Sequence, residues 1–115
     1  MMENEFSIID SHAHLDYPQF EGKIDEILSR AKALGVTEVI SVGVKLSAAN
    51  GPRRLAEIYD NVWFSAGIHP HEAYSEPDAC NLQAILVAAE HPKYVAVGEA
   101  GLDYFYDIAP RKVQA

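Results

Sequence analysis

Positive charge is scarce in this sequence. Lys and Arg number 9 against 17 Asp and Glu, leaving a net charge of −8 at pH 7. That excludes the broad basic footprint by which proteins hold long stretches of nucleic acid. A polyanionic substrate would have to be held locally, by a metal ion and a few donors. Cysteine is nearly absent too. Cys80 stands alone, which rules out an internal disulfide, and a lone thiol in an apolar helix face reads as small core filler. No apolar run approaches the ~18 residues of a membrane span, and residues 1–20 lack a basic start followed by an apolar core. These absences read as a cytoplasmic protein with no membrane partner. Low-complexity segments, charge blocks and interdomain linkers are also missing.

What is present suffices for one domain. The 115 residues are 49% apolar and 23% charged, ordinary for a globular chain with a real core. Residues 1–115 therefore read as a single domain. Residues 6–11 read as a first strand, buried. Ile24, Ile27, Leu28, Ala31 and Leu34 then recur at helical spacing, with Gly35 where a helix end favours a left-handed residue. Val39 to Gly43 is a second strand, and a second helix starts after Asn50 with Leu55, Ala56, Ile58 and Tyr59 inward. Residues 62–68 are a third strand. A helix over about 78–90 places Leu82, Ile85, Leu86 and Ala89 on one face, and residues 94–98 are a fourth strand. A last helix begins within residues 107–115, with Pro110 in its first turn.

Strands and helices alternating in this way call for a parallel sheet with right-handed crossovers. A doubly wound sheet normally carries a glycine-rich phosphate loop after its first strand. Here that position holds His12 and His14. The expected fold is therefore α/β, with parallel (β/α) units forming the N-terminal half of a TIM-type (β/α)8 barrel.

The chemistry-bearing residues follow the strands, where parallel α/β folds place their active sites. Side chains two apart on an extended chain share a face, so His12 and His14 can aim two imidazoles at one point. Neutral imidazole is the commonest ligand of zinc-like metals. Strand three leads into Gly67-Ile68-His69-Pro70-His71 and strand four into Gly98-Glu99-Ala100-Gly101-Leu102-Asp103-Tyr104. With five histidines in the chain, chance supplies one His-X-His pair about 0.2 times; here two such pairs follow strands. Glu99 is the natural partner of His12 and His14, because a carboxylate at a buried strand end is costly unless paired or on a metal. Glu with two His is also a catalytic ligand set that leaves positions open for water. Asp10, one step deeper on a regular strand, would orient a ligating ring. His69 follows its strand directly and points near the mouth, as a substrate-side residue or as one that supports the ligands. Pro70 turns the chain away at His71, and Asp103, Tyr104 and Tyr106 are rim candidates with an equally ordinary reading as turn and packing residues.

Together these stretches, Ile9 to Asp16, Gly67 to His71 and Val97 to Tyr104, resemble the TatD family of metal-dependent deoxyribonucleases. Arg111 and Gln114 resemble the opening of that family's next helix. The resemblance implies an amidohydrolase-type barrel with one or two divalent ions at its C-terminal mouth, Mg, Mn or Zn. It implies His12, His14 and Glu99 as metal ligands, Glu99 as a catalytic residue able to bridge two ions, and His69 as a catalytic residue beside the bound phosphate. The implied reaction is hydrolysis of a phosphodiester of DNA by metal-activated water. Family members carry further ligands, two histidines and an aspartate, on later strands that this sequence does not contain. The expectation is weak activity for the 115 residues alone, and self-association or a longer parent chain to cover the open half-barrel. Two other readings remain: an amidohydrolase-type enzyme cutting C–N or ester bonds, and a non-catalytic half-barrel that works only in an assembly.

Overall fold

Ile8 and Ile9 open a β-type run that pairs with the next such run, and the rest of the chain extends that pairing outward in order. A computed structural model describes residues 6–48, 50–75 and 82–115. Its elements are β1 (Ile8–Ala13), α1 (Ile24–Ala33), β2 (Val36–Ser41), α2 (Asn50–Ile58), β3 (Val62–Ala66), α3 (Leu82–Ala89), β4 (Tyr94–Val97) and α4 (Arg111–Gln114). The sheet runs β1-β2-β3-β4 and every pair is parallel. Sequential parallel neighbours joined by helices are the (β/α) units expected of a TIM-type barrel. Among the described residues no helix is long and apolar enough to cross a membrane.

Local rules account for the boundaries. Asp25 and Glu26 sit in the first turn of α1, and Arg30 and Lys32 in its last, each matched to the helix dipole. Gly35 then takes φ 95° and donates its N–H to the Lys32 carbonyl at 3.0 Å, closing the helix in the left-handed way that favours glycine. The α2 C-terminus is closed from a distance. Lys93 Nζ donates to the carbonyls of Ala56 and Tyr59 at 2.7 Å and of Asp60 at 3.1 Å.

The core lies between the helices and the sheet: Leu15, Ile24, Leu28, Val39, Ala56, Val62 and Phe64. Phe64 meets the rings of His91 and Tyr94 edge-on. Several apolar positions expected inside are not. Leu34 caps α1 and is exposed, and Ile58 lies on the outer side of the α2 face that Pro52, Ala56 and Tyr59 turn inward. In α3 the buried residue is Ala88, whereas Leu82 and Leu86 are exposed. That helix is apolar nearly all round, so its periodicity does not select a face. Positions 78–81 of the expected helix, including Cys80, lie outside the described residues.

β1 and β4 are the two edges of the four-stranded sheet. Ile8 and Ile9 on the one and Val95 and Val97 on the other are exposed, and edge strands of this kind present unpaired backbone groups.

Candidate metal centre

The C-terminal ends of β2, β3 and β4 are drawn together by small residues and one hydroxyl. Ser65 Oγ donates to the Gly98 carbonyl at 2.8 Å and accepts the Gly43 N–H at 3.3 Å. Gly98 N–H reaches the Ala66 carbonyl at 3.0 Å, and Glu99 N–H reaches the Gly43 carbonyl at 2.7 Å. The approach is too close for a side chain at Gly67: a Cβ there would lie 2.5 Å from the Glu99 carbonyl oxygen and 2.7 Å from the Gly98 carbonyl carbon. Glycine at 67 is therefore what allows Glu99 to stand where it does.

Glu99 faces three imidazoles. Its Oε2 lies 3.3 Å from His12 Nε2 and 3.6 Å from His14 Nε2, and its Oε1 lies 3.4 Å from His69 Nε2. One ligand atom from each of His12, His14 and Glu99 falls within 4.8 Å of the other two. The hydrogen bonds around the rings sort them by tautomer. His14 Nδ1 lies 3.3 Å from the Val42 carbonyl, which can only accept, so Nδ1 carries the proton and Nε2 keeps its lone pair. That lone pair is directed toward Glu99 Oε2, an atom that is buried with no hydrogen-bond partner. A cation between these two acceptors would satisfy both. A divalent ion fits this donor set, two nitrogens and one carboxylate with room for water.

His69 is arranged the opposite way. Its Nδ1 accepts the backbone N–H of His71 at 3.1 Å, which places the ring proton of the neutral form on Nε2, the atom beside Glu99 Oε1. His69 thus offers a hydrogen-bond donor where His14 offers a lone pair. His71 reaches away from the cluster, with its Nε2 2.7 Å from Asp103 Oδ2. That bond, followed by the N–H groups of Tyr106 and Phe105, holds the Asp103 carboxyl below the usual aspartate range. Tyr17 stacks on His14 with ring centroids 4.7 Å apart and planes 13° from parallel, fixing the ring from the other side. Burial raises the Tyr17 phenol, and the carboxylates of Asp16, Glu99 and Glu72 raise it further.

The model of the TatD-related DNase family matches residues 9–115. The chain belongs to that family. Among its TatD relatives, the uncharacterized metal-dependent hydrolase YabD of Bacillus subtilis is 34% identical over 107 residues, covering 93% of this chain and 42% of that protein. A 3'-5' ssDNA/RNA exonuclease TatD from Musicola paradisiaca is 41% identical over 98 residues, covering 84% of this chain and 37% of that protein. The crystal structure of YJJV, a TatD homologue from Escherichia coli K12, superposes with a TM-score of 0.80 at 33% identity, over 93% of this chain and 42% of that one. A TatD-family hydrolase from Entamoeba histolytica has the same fold, with a TM-score of 0.79 at 24% identity over 95% of this chain and 42% of that one. The chain thus spans about two-fifths of the length of these TatD proteins.

Of the residues read from the TatD motifs, His12, His14, Glu99 and His69 meet at one point. Their placement on the chain differs in detail from expectation. β1 runs to Ala13, so His12 lies inside the strand and His14 just past it. The register shifts between Asp10 and Ala13, and such an irregularity re-aims side chains. Asp10 accordingly accepts the backbone N–H of His12 at 3.1 Å instead of orienting an imidazole. Asp16, which follows His14 in the TatD motif, stands apart as well. Its carboxyl packs where a Cβ on Gly51 of α2 would meet it at 2.8 Å, and burial raises its pKa. Neither Asp16 nor Asp103 joins the ligand cluster, which among the described residues is His12, His14 and Glu99.

Three contributors were missed from sequence: Ser65, Tyr17 and the side chain of Gln114. Ser65 carried a signal, as a polar residue inside an apolar strand. Tyr17 and Gln114 carried none beyond their place in a turn and a short helix.

Proposed function

We propose that this chain supplies one half of a metal-dependent phosphodiesterase site acting on nucleic acid. In this reading His12, His14 and Glu99 are the metal ligands, while His69 is the catalytic and substrate-binding residue. The observation that carries it is the buried, unpartnered Glu99 Oε2 facing the His14 Nε2 lone pair. The name of the related 3'-5' ssDNA/RNA exonuclease supports a single-stranded substrate, and the name of the hydrolase YabD supports a metal. When bound, a divalent ion neutralises charge on the phosphoryl oxygens and lowers the pKa of water in its shell.

The protein's own residues do the rest. The His14 ring is held between Tyr17 and the Val42 carbonyl, so its nitrogen meets a ligand without a search through rotamers. The His69 Nε2–H can donate to a non-bridging phosphoryl oxygen in place of Glu99 Oε1, and the His71 N–H bound to His69 Nδ1 fixes the ring that carries it. A C–N or ester hydrolase would use the same donor for its tetrahedral oxyanion, so the two substrate classes are separated by experiment. The decisive experiment offers purified chain Mn2+, Mg2+ or Zn2+ and follows a 3'-labelled single strand beside amide and lactone substrates. The expected result is bound metal with slow strand cleavage that His14→Ala abolishes. Absence of bound metal, or faster turnover of the amide or lactone, defeats the reading.

The exposed apolar residues of β1 and β4 support a second part of the proposal: residues 1–115 act as one domain within an assembly, through self-association or a longer parent chain. Burying ~400 Å² of apolar surface contributes about 10 kcal/mol at ~25 cal/mol per Å², comparable to the stability of a whole domain. Light scattering on dilute protein should therefore give a mass above that of one chain. A monomer that melts cooperatively contradicts it.

A further inference from the structure

Three aromatic side chains follow one another just past the candidate metal centre, and the core uses none of them. Tyr104 is 38% exposed, Phe105 85% and Tyr106 67%. The backbone that carries them is nonetheless tied down on every side. Asp103 Oδ1 accepts the N–H groups of Phe105 and Tyr106 at 3.0 and 3.1 Å. Gln114 Oε1 accepts the Asp103 N–H at 2.8 Å, and its Nε2 donates to the carbonyls of Asp103 and Ala109 at 3.0 and 2.8 Å. The backbone beneath the rings is thus fixed.

The rings continue the site. His69 and His71 have centroids 4.5 Å apart, His71 and Tyr106 5.8 Å, and Tyr106 and Phe105 4.9 Å. The contacts are edge to face, with planes 74°, 85° and 88° apart, so a chain of rings leads from Glu99 outward along the mouth and each ring presents its own face. At its side stands Arg111, one of the two cations of α4, in a protein whose net charge is −8. Arg111 lies over the Tyr104 ring at 4.7 Å and pairs with Asp107 at 3.3 Å.

Flat apolar faces joined to a phosphate site and flanked by cations are how proteins hold unpaired bases. We propose that Phe105 and Tyr106 are a stacking platform for the bases of a single-stranded nucleic acid whose phosphate lies at the His12–His14–Glu99 site. The inference rests on the phosphodiester reading and adds a requirement of its own, since a duplex keeps its bases stacked on one another and offers these rings no free face. Continuity with the phosphate site and the adjacent cation favour this occupant over a protein surface.

The test measures fluorescence anisotropy of the whole chain with Mn2+ and a labelled oligothymidylate of about eight nucleotides. Its control is the same backbone made of abasic residues. The natural strand should bind about tenfold tighter, as expected when bases stack on aromatic rings. Phe105→Ala should bring that ratio below about twofold while leaving abasic binding and the melting midpoint unchanged, because so exposed a ring adds little to packing. Phe105→Trp should retain the preference. Equal binding of the two strands by the unaltered chain overturns the platform and leaves the phosphodiester reading standing, whereas binding of neither overturns both. A strand preference that survives Phe105→Ala, or a change that instead turns an associated chain into monomers, also overturns the platform.

Discussion

Glu99→Gln is expected to lower the affinity for Mn2+ or Zn2+ by more than about 100-fold, since loss of even an outer partner of a ligand costs 10–100-fold. The change keeps the shape of the side chain and removes the one anionic group of the cluster. It should not unfold the protein. Oε2 has no hydrogen-bond partner to lose, an amide oxygen can still face the His69 N–H from the Oε1 position, and an atom buried without a partner costs less in a neutral amide than in a carboxylate. Two measurements separate the roles. Calorimetric titration should show metal binding in the unaltered chain and little in the variant. The metal-dependent rise in melting temperature, which follows from binding to the folded state alone, should vanish while the metal-free melting temperature stays level or rises. Unchanged metal affinity would remove Glu99 from the ligand set, and a large metal-free loss of stability would give it a structural role instead.

Gly67→Ala should destabilise the chain by about 3 kcal/mol, the upper end of what overpacking usually costs. The added methyl would meet the Glu99 carbonyl oxygen at 2.5 Å, the Gly98 carbonyl carbon at 2.7 Å and the Gly98 Cα at 2.9 Å. All three are backbone atoms, so no rotamer change relieves the clash, and the ends of β3 and β4 must separate. Glu99 is carried by the backbone that moves. Metal affinity should therefore fall in the folded variant as well. Gly98→Ala is the matched control, because a Cβ there meets nothing within 4 Å. Urea unfolding with an unchanged slope should show the loss for position 67 and almost none for position 98. Equal midpoints for the two variants would mean that the strand ends are not held as closely as the geometry requires.

The parallel (β/α) order was legible because each strand opens on β-branched or aromatic residues and each of the first two helices repeats its apolar residues every three or four positions. The four residues of the candidate site were legible because each follows or ends a strand, and parallel sheets bring such positions to one edge. Burial within the helices was read less well. Leu34 and Ile58 fit the spacing of their helices yet lie at the last turns, where the sheet no longer covers them. For α3 the helix itself was legible but its inner face was not, since a helix apolar nearly all round has no stripe for periodicity to find.

By itself the sequence determined the fold class and the donors available at the mouth, because strand and helix periods and the spacing of His-X-His pairs are local properties of the chain. Only the tertiary structure decided what each donor can do. His14 presents a lone pair because the Val42 carbonyl, on the neighbouring segment, accepts its other nitrogen's proton. His69 presents a proton because the His71 N–H occupies its other nitrogen. Asp10 turns from ring to backbone because β1 shifts register against β2. His71 is drawn from the cluster by Asp103, 32 residues away. For His14 and His71 the deciding partners are distant in sequence and leave no local pattern to read; for His69 and Asp10 the partner is only two residues away, and what brings it into reach is the backbone path that the fold imposes.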